Sequence, residues 1–168
     1  MNATASAATY DPSLAFKQGM ASFPSGVTIV TTSDDDGKWW GFTASSFCSV
    51  SMDPPLVLVC LARNAECHPV FERAEHFTIH VIRPEDTELA YRFATRGADK
   101  FTDEAFEADH RGNPVLRDAC VTLNCTMYAR SDGGDHSILI GQVEKTALGD
   151  SLPAVYFRRG FHSLPLAG

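Results

Sequence analysis

A run of small hydroxyl side chains between two apolar stretches is the feature that most constrains how this chain folds. The run contains Thr43, Ser45, Ser46, Ser49 and Ser51 within nine positions. Four of the five have odd numbers, so in an extended chain, whose side chains alternate between two faces, those four would share one face. Small hydroxyls beside closely spaced backbone N–H groups suit either a wall for a flat ligand with polar edges or an ordinary Ser/Thr-rich sheet surface. This segment alone leaves both interpretations open.

The composition is that of a globular protein, with 168 residues of which 44% are hydrophobic and 21% charged. We predict a single domain over residues 11–168 after a flexible lead-in at residues 1–10. No apolar run approaches the roughly 20 residues that span a bilayer, and the first nine residues lack the basic start and apolar core of a signal peptide, so we expect a cytoplasmic protein. The net charge of -7 argues against nucleic acid as a partner.

The common catalytic and metal-binding motifs are absent from the sequence. It contains no GxGxxG after a predicted strand, no GxxxxGK[ST], no GxSxG and no HExxH. The six histidines lack a metal-ligand spacing, so we predict no metal site. The five cysteines are odd in number and form no CxxC pair, which predicts free, buried thiols.

Three helices are predicted, each near a proline. Asp11 caps the first, which begins at Pro12 and carries an apolar stripe through Phe16 and Met20. Asn64 is predicted to cap a second helix, over residues 64–73. Pro84 is predicted to begin the third, with acidic residues in its first turns.

Seven or so strands, mostly linked by hairpins, are predicted between these helices. They cover Gly26–Thr32, a partner strand from Trp39 onward, Leu56–Ala62 (buried on both faces), His76–Ile82, Ala119–Arg130, His136–Leu148 and Ala154–Phe157, the last of which could close the sheet. Residues 131–135, rich in Gly and Asp, form the tip of the longest hairpin. The fold class is therefore mainly β, an antiparallel β-barrel with short peripheral helices.

Several segments together resemble a known family. These are Phe23–Thr32, Gly41–Phe47, Ser49–Val57, Arg92-Phe93, Asp99-Lys100-Phe101, Gly133-Gly134-Asp135-His136 and Tyr156-Phe157-Arg158. In order and spacing they resemble the flavin reductase component of two-component flavin-dependent monooxygenases, over about residues 14 to 164. The resemblance implies a split β-barrel that binds FMN or FAD, works as a homodimer, takes a hydride from NADH or NADPH, and passes reduced flavin to a partner monooxygenase.

The resemblance also implies roles for particular residues. The flavin would be bound by Thr43, Ala44, Ser45, Ser46, Phe47, Cys48, Ser49, Val50, Ser51, Arg92, Phe93, Lys100 and Phe101. Within this set, residues 43–46 would follow the isoalloxazine, residues 49–51 the ribityl chain and phosphate, and Arg92 and Lys100 a phosphate or the adenylate. Cys48 departs from the Thr or Ala common in the family at that place.

The resemblance places His136 on the nicotinamide side of the flavin. We expect it to position NAD(P)H, with Ser25 and Gly26 nearby. Such an enzyme needs no protein nucleophile or metal, because the cofactor carries the chemistry.

Two other functions stay open. A flavoenzyme similar to pyridoxamine-phosphate oxidase would use the same barrel, although the phosphate-binding arginines of that family have no obvious counterparts here. A non-enzymatic flavin carrier or sensor would keep the hydroxyl run but would not need His136 or the Gly-Gly-Asp tip.

Overall fold

The computed structural model describes residues 10–102 and 104–165. Helix α1 (Pro12–Ala21) begins as predicted, because the Asp11 carboxylate accepts hydrogen bonds from the backbone N–H groups of Ser13 and Leu14. None of its residues is buried, and the predicted apolar stripe faces outward, with Phe16 69% and Met20 55% exposed. The stripe is therefore not part of the core of the isolated chain.

Twelve strands are found in the described residues. They are β1 (Ser25–Gly26), β2 (Thr28–Ser33), β3 (Trp39–Ala44), β4 (Cys48–Met52), β5 (Pro55–Ala62), β6 (His76–Val81), β7 (Phe106–Ala108), β8 (Pro114–Leu116), β9 (Val121–Gly133), β10 (His136–Leu148), β11 (Ala154–Phe157) and β12 (Gly160–Ser163). Seven form one sheet in the order β3-β2-β6-β9-β10-β5-β4, with every neighbouring pair antiparallel. The mainly β class with few short helices is thus confirmed.

Closure of this sheet into a barrel is not shown. Strands β3 and β4 stand at its two edges and are not paired with each other. The prediction that Ala154–Phe157 could close it is wrong, since β11 pairs with β1 and β12 in a separate sheet of three strands. Strand β5 is buried less completely than predicted, because Leu58, Cys60 and Ala62 on one face are only half-buried.

The other helices are short. Helix α2 spans His68–Phe71, and its N-cap position is Cys67, so the prediction that Asn64 begins this helix is wrong. The reason is a preceding turn in which the Ala65 N–H donates to the Ala62 carbonyl and the His68 N–H to that of Ala65. A short 3₁₀ helix (Pro84–Asp86) leads into α3 (Thr87–Ala94), which confirms the helix predicted after Pro84.

The hydroxyl run does not form one continuous face. Residues 45–47 bend between β3 and β4, and a bulge between Ser49 and Ser51 interrupts the pairing of β4 with β5. The alternation predicted for an unbroken strand therefore fails. Thr43 is half-buried in β3, whereas Ser45 and Ser49 are exposed.

Buried apolar residues form two clusters. One contains Phe71, Phe77 and Leu139, and the other contains Ile29, Ile82 and Phe93. The first cluster packs tightly at Gly141, where a Cβ atom would lie 2.5 Å from Cζ of Phe77 and 2.9 Å from Cβ of Cys125. Phe77 is buried, so it has little room to move away.

We expect Gly141→Ala to lower the free energy of unfolding by about 1–3 kcal/mol, the usual cost of overpacking a core. Urea titration measures this change. Gly19→Ala in the exposed helix α1 is the matched control, because no heavy atom lies within 4 Å of its Cβ position. Equal unfolding midpoints for the two variants would contradict the close packing at Gly141.

Candidate functional site

A cavity of about 660 Å³ lies between residues of β3, of β5 and of the end of α3. Its walls come from residues 38–43, 60–62, 64–67 and 93–101, with His136 between them. This volume falls in the range of pockets that bind cofactors and small molecules. The cavity thus unites most of β3, the end of β5, the end of α3 with the segment after it, and the first residue of β10.

Five of the residues predicted from the sequence line this cavity. They are Thr43, Phe93, Lys100, Phe101 and His136. The Thr43 hydroxyl donates to the backbone carbonyl of Ala90 at 2.6 Å, which ties β3 to α3. The contact between these elements brings separate parts of the sequence to one wall.

An aromatic cluster forms that wall. The rings of Phe93 and Phe101 meet edge to face with their centroids 5.1 Å apart, and Trp39 meets Phe101 in the same way at 5.5 Å. Gly41 permits the approach of Phe93, since a Cβ at Gly41 would lie 2.7 Å from that ring. The result is a rigid apolar surface suited to a flat aromatic ligand.

The remaining predicted residues do not line the cavity. These are Ser25, Gly26, Ala44, Ser45, Ser46, Phe47, Cys48, Ser49, Val50, Ser51 and Arg92. Ser46 is adjacent to it, because its Oγ accepts a hydrogen bond of 2.9 Å from the backbone N–H of Cys60, a cavity residue. Arg92 donates instead to the Thr102 hydroxyl at 3.3 Å. Ser25 and Gly26 pair with β11 in the three-stranded sheet.

Charged residues that the sequence did not indicate also line the cavity. Lys38 and Arg96 join Lys100 as its cations, and the carboxylates of Glu66 and Asp99 also line it. The Lys38 ammonium lies 4.2 Å from the centre of the Trp40 ring, and the Lys100 ammonium donates to the Thr95 carbonyl at 2.8 Å. These cations supply, within an acidic protein, the local positive charge that a phosphate group requires.

His136 is held by its neighbour. Its Nδ1 lies 2.7 Å from Oδ1 of Asp135, and this hydrogen bond holds the pKa of the Asp135 carboxyl below its ordinary value. A carboxylate on Nδ1 favours the proton on that nitrogen and fixes the plane of the imidazole. His136 is therefore an oriented group at the cavity wall.

Arg63 holds the hairpin tip that carries His136. Its guanidinium donates to Asp132 Oδ1 at 2.8 Å and to the Gly134 carbonyl at 3.0 Å, while its backbone N–H donates to the Asp135 carbonyl. The hydrogen bond from the Arg63 guanidinium lowers the pKa of the Asp132 carboxyl. The guanidinium thus braces the turn against the end of β5.

The sequence resemblance implies NADH as a hydride donor, so we expect Arg63→Ala to lower kcat/KM for NADH by about 3- to 10-fold, because small displacements of a positioning group reduce rates. Stability should fall by less than about 1 kcal/mol, as for other exposed ion pairs. Initial rates and urea titration check both values. Arg73→Ala, at an exposed arginine outside the cavity, is the control, and an unchanged kcat/KM in Arg63→Ala would show that the brace does not matter.

The cysteines of the chain are free thiols, and the one buried in the cavity wall is not an activated nucleophile. All five cysteines are free; Cys67, Cys120 and Cys125 are buried as predicted, whereas Cys60 is half-buried and Cys48 is exposed. Burial raises the pKa of the Cys67 thiol, which lines the cavity, to about 11, so it stays protonated at neutral pH.

Within residues 10–102 and 104–165, no three His, Cys, Asp or Glu side chains form a group that could bind a metal ion. The same residues contain no helix with the length and apolar character to cross a membrane.

Comparison with known proteins identifies the family. Residues 20–165 match the model of the flavin reductase like domain. The chain is 46% identical over 149 residues to the actinorhodin polyketide dimerase of Streptomyces coelicolor, covering 88% of this chain and 84% of that protein. It is 39% identical to the NADH:riboflavin 5'-phosphate oxidoreductase of Streptomyces pristinaespiralis, with 88% and 86% covered. The reductase component of a 4-nitrophenol 4-monooxygenase/4-nitrocatechol 2-monooxygenase from Rhodococcus opacus is 38% identical, with 89% and 80% covered.

A solved structure agrees with these relatives. The NADH:FAD oxidoreductase of Streptomyces globisporus C-1027, in complex with NAD and FAD fragments, superposes with a TM-score of 0.87 at 28% identity, covering 95% of this chain and 98% of that one. The chain therefore belongs to the flavin reductase like family. The resemblance inferred from the sequence motifs is confirmed.

Proposed function

We propose that the chain is an NAD(P)H-dependent flavin reductase that transfers a hydride to FMN or FAD and supplies the reduced flavin to a separate monooxygenase. Three of the relatives described above carry out or serve this reaction by name, two as NADH:flavin oxidoreductases and one as the reductase component of a monooxygenase. The observation that carries the proposal is the cavity, which brings Thr43, Phe93, Lys100 and Phe101 together with His136.

The residues of the cavity fit a flavin. The edge-to-face cluster of Trp39, Phe93 and Phe101 offers an apolar surface to a ring system, and the cations Lys38 and Lys100 match a phosphate. When bound, the flavin supplies the chemistry of hydride acceptance. The ring edges would meet the polar groups of residues 43–46, and the ribityl phosphate would extend beyond the cavity to residues 49–51 on the exposed strand β4. Lys38 and Lys100 would then serve a second phosphate, that of FAD or of the nicotinamide nucleotide.

The protein would orient the nicotinamide. His136, fixed through Nδ1 by Asp135, presents its remaining ring nitrogen for a hydrogen bond to the nicotinamide. Ser25 and Gly26 would support the distal part of the dinucleotide. The thiol of Cys67 is protonated at neutral pH, so this residue is not an activated nucleophile beside the proposed hydride transfer.

The fold would function as the split β-barrel of the family, assembled as a homodimer. Helix α1 has ten residues, too few for a helix to be stable in water without packing, yet it buries none of them. Phe16, Met20 and, on the edge strand β4, Met52 are exposed apolar side chains that a second copy would cover. Sedimentation velocity should give a dimer, and a monomer across the micromolar range would contradict this assembly.

Steady-state oxidation of NADH and of NADPH tests the proposed activity. With a catalytic amount of protein, we expect the rate to rise with added FMN or FAD and to saturate. A rate independent of both flavins would contradict a flavin reductase. A resident yellow flavin that turns over an amine and oxygen instead would indicate an oxidase, and flavin binding without nicotinamide oxidation would indicate a carrier.

A further inference from the structure

Glu66 connects two segments of the cavity wall, residues 64–66 and 96–97. The backbone N–H of Gly97 donates to Glu66 Oε2 at 2.9 Å, and Nε of Arg96 lies 4.0 Å from Glu66 Oε1. Nη1 of Arg96 also donates to the Asn64 carbonyl at 3.1 Å. All four residues line the cavity. A carboxylate thus occupies a position between a backbone N–H and a guanidinium.

This pair of donors is suited to a phosphate. Guanidinium and backbone N–H groups are the usual ligands of phosphate oxygens, and a carboxylate presents the same kind of acceptor with a smaller charge. Gly97 has a φ of +73°, a conformation that glycine adopts without strain, and this fixes the direction of its N–H. Phosphate oxygens could therefore replace the Glu66 oxygens on both donors.

The bridge is weak enough to be displaced. The side chain of Arg96 is 74% exposed and that of Glu66 is 41% exposed. Exposed ion pairs are screened by water and salt and contribute little. A phosphate with up to two negative charges would compete effectively for the same donors.

We propose that Glu66 is an internal competitor for a phosphate site formed by Arg96 and the Gly97 N–H, and that it lowers the affinity of the cavity for phosphate-bearing ligands. The inference rests on the proposed function, because it takes the ligand to be a flavin nucleotide or a nicotinamide nucleotide. Displacement of Glu66 breaks its contacts with the Gly97 N–H and the Arg96 guanidinium, whereas the hydrogen bond from Arg96 to the Asn64 carbonyl does not involve Glu66 and would remain.

Equilibrium binding to Glu66→Gln tests the proposal without requiring turnover. Flavin fluorescence reports FMN and riboflavin, and calorimetry reports NADH and reduced nicotinamide riboside; riboflavin and the riboside lack phosphate. We expect FMN or NADH to bind about two- to five-fold more tightly to Glu66→Gln, and the phosphate-free ligands to change by less than about 1.5-fold. The ligand that gains identifies whether the phosphate belongs to the flavin or to the nicotinamide nucleotide.

Three further variants make the result specific. Glu88→Gln removes the same charge from the exposed start of α3, outside the cavity, and should leave all four affinities unchanged. Arg96→Ala should weaken the binding of the phosphate-bearing ligand, and in Arg96→Ala/Glu66→Gln the gain from Glu66→Gln should shrink. Unchanged affinities in Glu66→Gln, equal gains for phosphate-free ligands, or the same gain in Glu88→Gln would overturn the proposal.

Failure of the proposed function gives a different pattern. If nucleotides bind but NADH is not oxidised, the reductase activity is contradicted while the role of Glu66 is still measured. If turnover is normal and Glu66→Gln binds like the wild type, only the role of Glu66 is contradicted. If no nucleotide binds to the wild type, both are overturned.

Discussion

Replacing His136 with alanine is expected to lower kcat/KM for NADH by about 10- to 100-fold, while the Kd for flavin changes by less than about two-fold. The physical reason is that His136 is oriented by Asp135 at the cavity wall, on the first residue of β10. Loss of the imidazole would leave the nicotinamide free to adopt unreactive orientations. The flavin contacts proposed for β3 and β4 would remain.

The measurement combines initial rates at varied NADH with a fluorescence titration of flavin. His110→Ala is the matched control, because His110 is exposed in the turn between β7 and β8 and does not line the cavity. That variant should retain wild-type values. If His136→Ala loses flavin affinity and NADH use to the same extent, His136 belongs to the flavin site and the proposed placement of the nicotinamide is wrong.

Stability should fall between about pH 6.5 and pH 4 because of His80. This residue is fully buried in β6, where its Nδ1 lies 2.9 Å from the Ile29 carbonyl and its Nε2 accepts the backbone N–H of Leu116 at 3.1 Å. A carbonyl on one nitrogen and an N–H on the other require the neutral ring with its proton on Nδ1. Desolvation lowers the pKa of His80 from 6.5 to about 4.

The sign of the effect follows from this lowered pKa. The unfolded chain binds a proton at His80 below pH 6.5, whereas the folded protein does so only below about pH 4, so acid favours unfolding across that window. Binding of one proton to His80 on unfolding lowers the stability by about 3 kcal/mol between pH 6.5 and pH 4. Above pH 6.5 this stability is fully present. Hydrogen bonding also lowers the pKa values of four carboxyl groups, those of Asp34, Asp132, Asp135 and Glu144. The ordinary pKa is 3.8 for the three Asp residues and 4.5 for Glu144, so their contribution to stability is lost at lower pH than that of His80.

Urea titrations at a series of pH values measure this loss. His80→Gln should be less stable at pH 7, because its amide matches the two backbone partners imperfectly, and its stability should depend less on pH between 6.5 and 4.5. Direct NMR titration of the His80 ring gives an independent value. A pKa near 6.5 in the folded protein, or the same pH dependence in both proteins, would contradict the neutral buried ring.

Local features of the fold were predictable from the sequence because their contacts are close along the chain. Asp11 bonds to residues two and three positions away, and Gly134 has a φ of +77° at the tip between β9 and β10. Such caps and turns depend on residue type at fixed offsets. The sequence did not predict which side chains of the hydroxyl run share a face. The bend at residues 45–47 and the bulge after Ser49 interrupt the alternation, and they depend on pairing with β5.

The candidate site was predictable only where the family motifs named its residues. Glu66 and Gly97 are 31 positions apart, and Thr43 and Ala90 are 47 apart, and each pair meets only when the sheet and α3 pack together. Arg96 and Lys38 resemble ordinary surface cations in the sequence. Only the folded structure shows that both line the cavity, where their charge can act on a ligand.

Anaerobic reduction of excess flavin by NADH tests the central claim most directly. With far less protein than FMN or FAD, the visible absorbance of the flavin should bleach to completion at a rate proportional to protein concentration, which requires both hydride transfer and release of reduced flavin. Bleaching no faster than in a protein-free mixture, with both flavins and with both NADH and NADPH, would contradict the account.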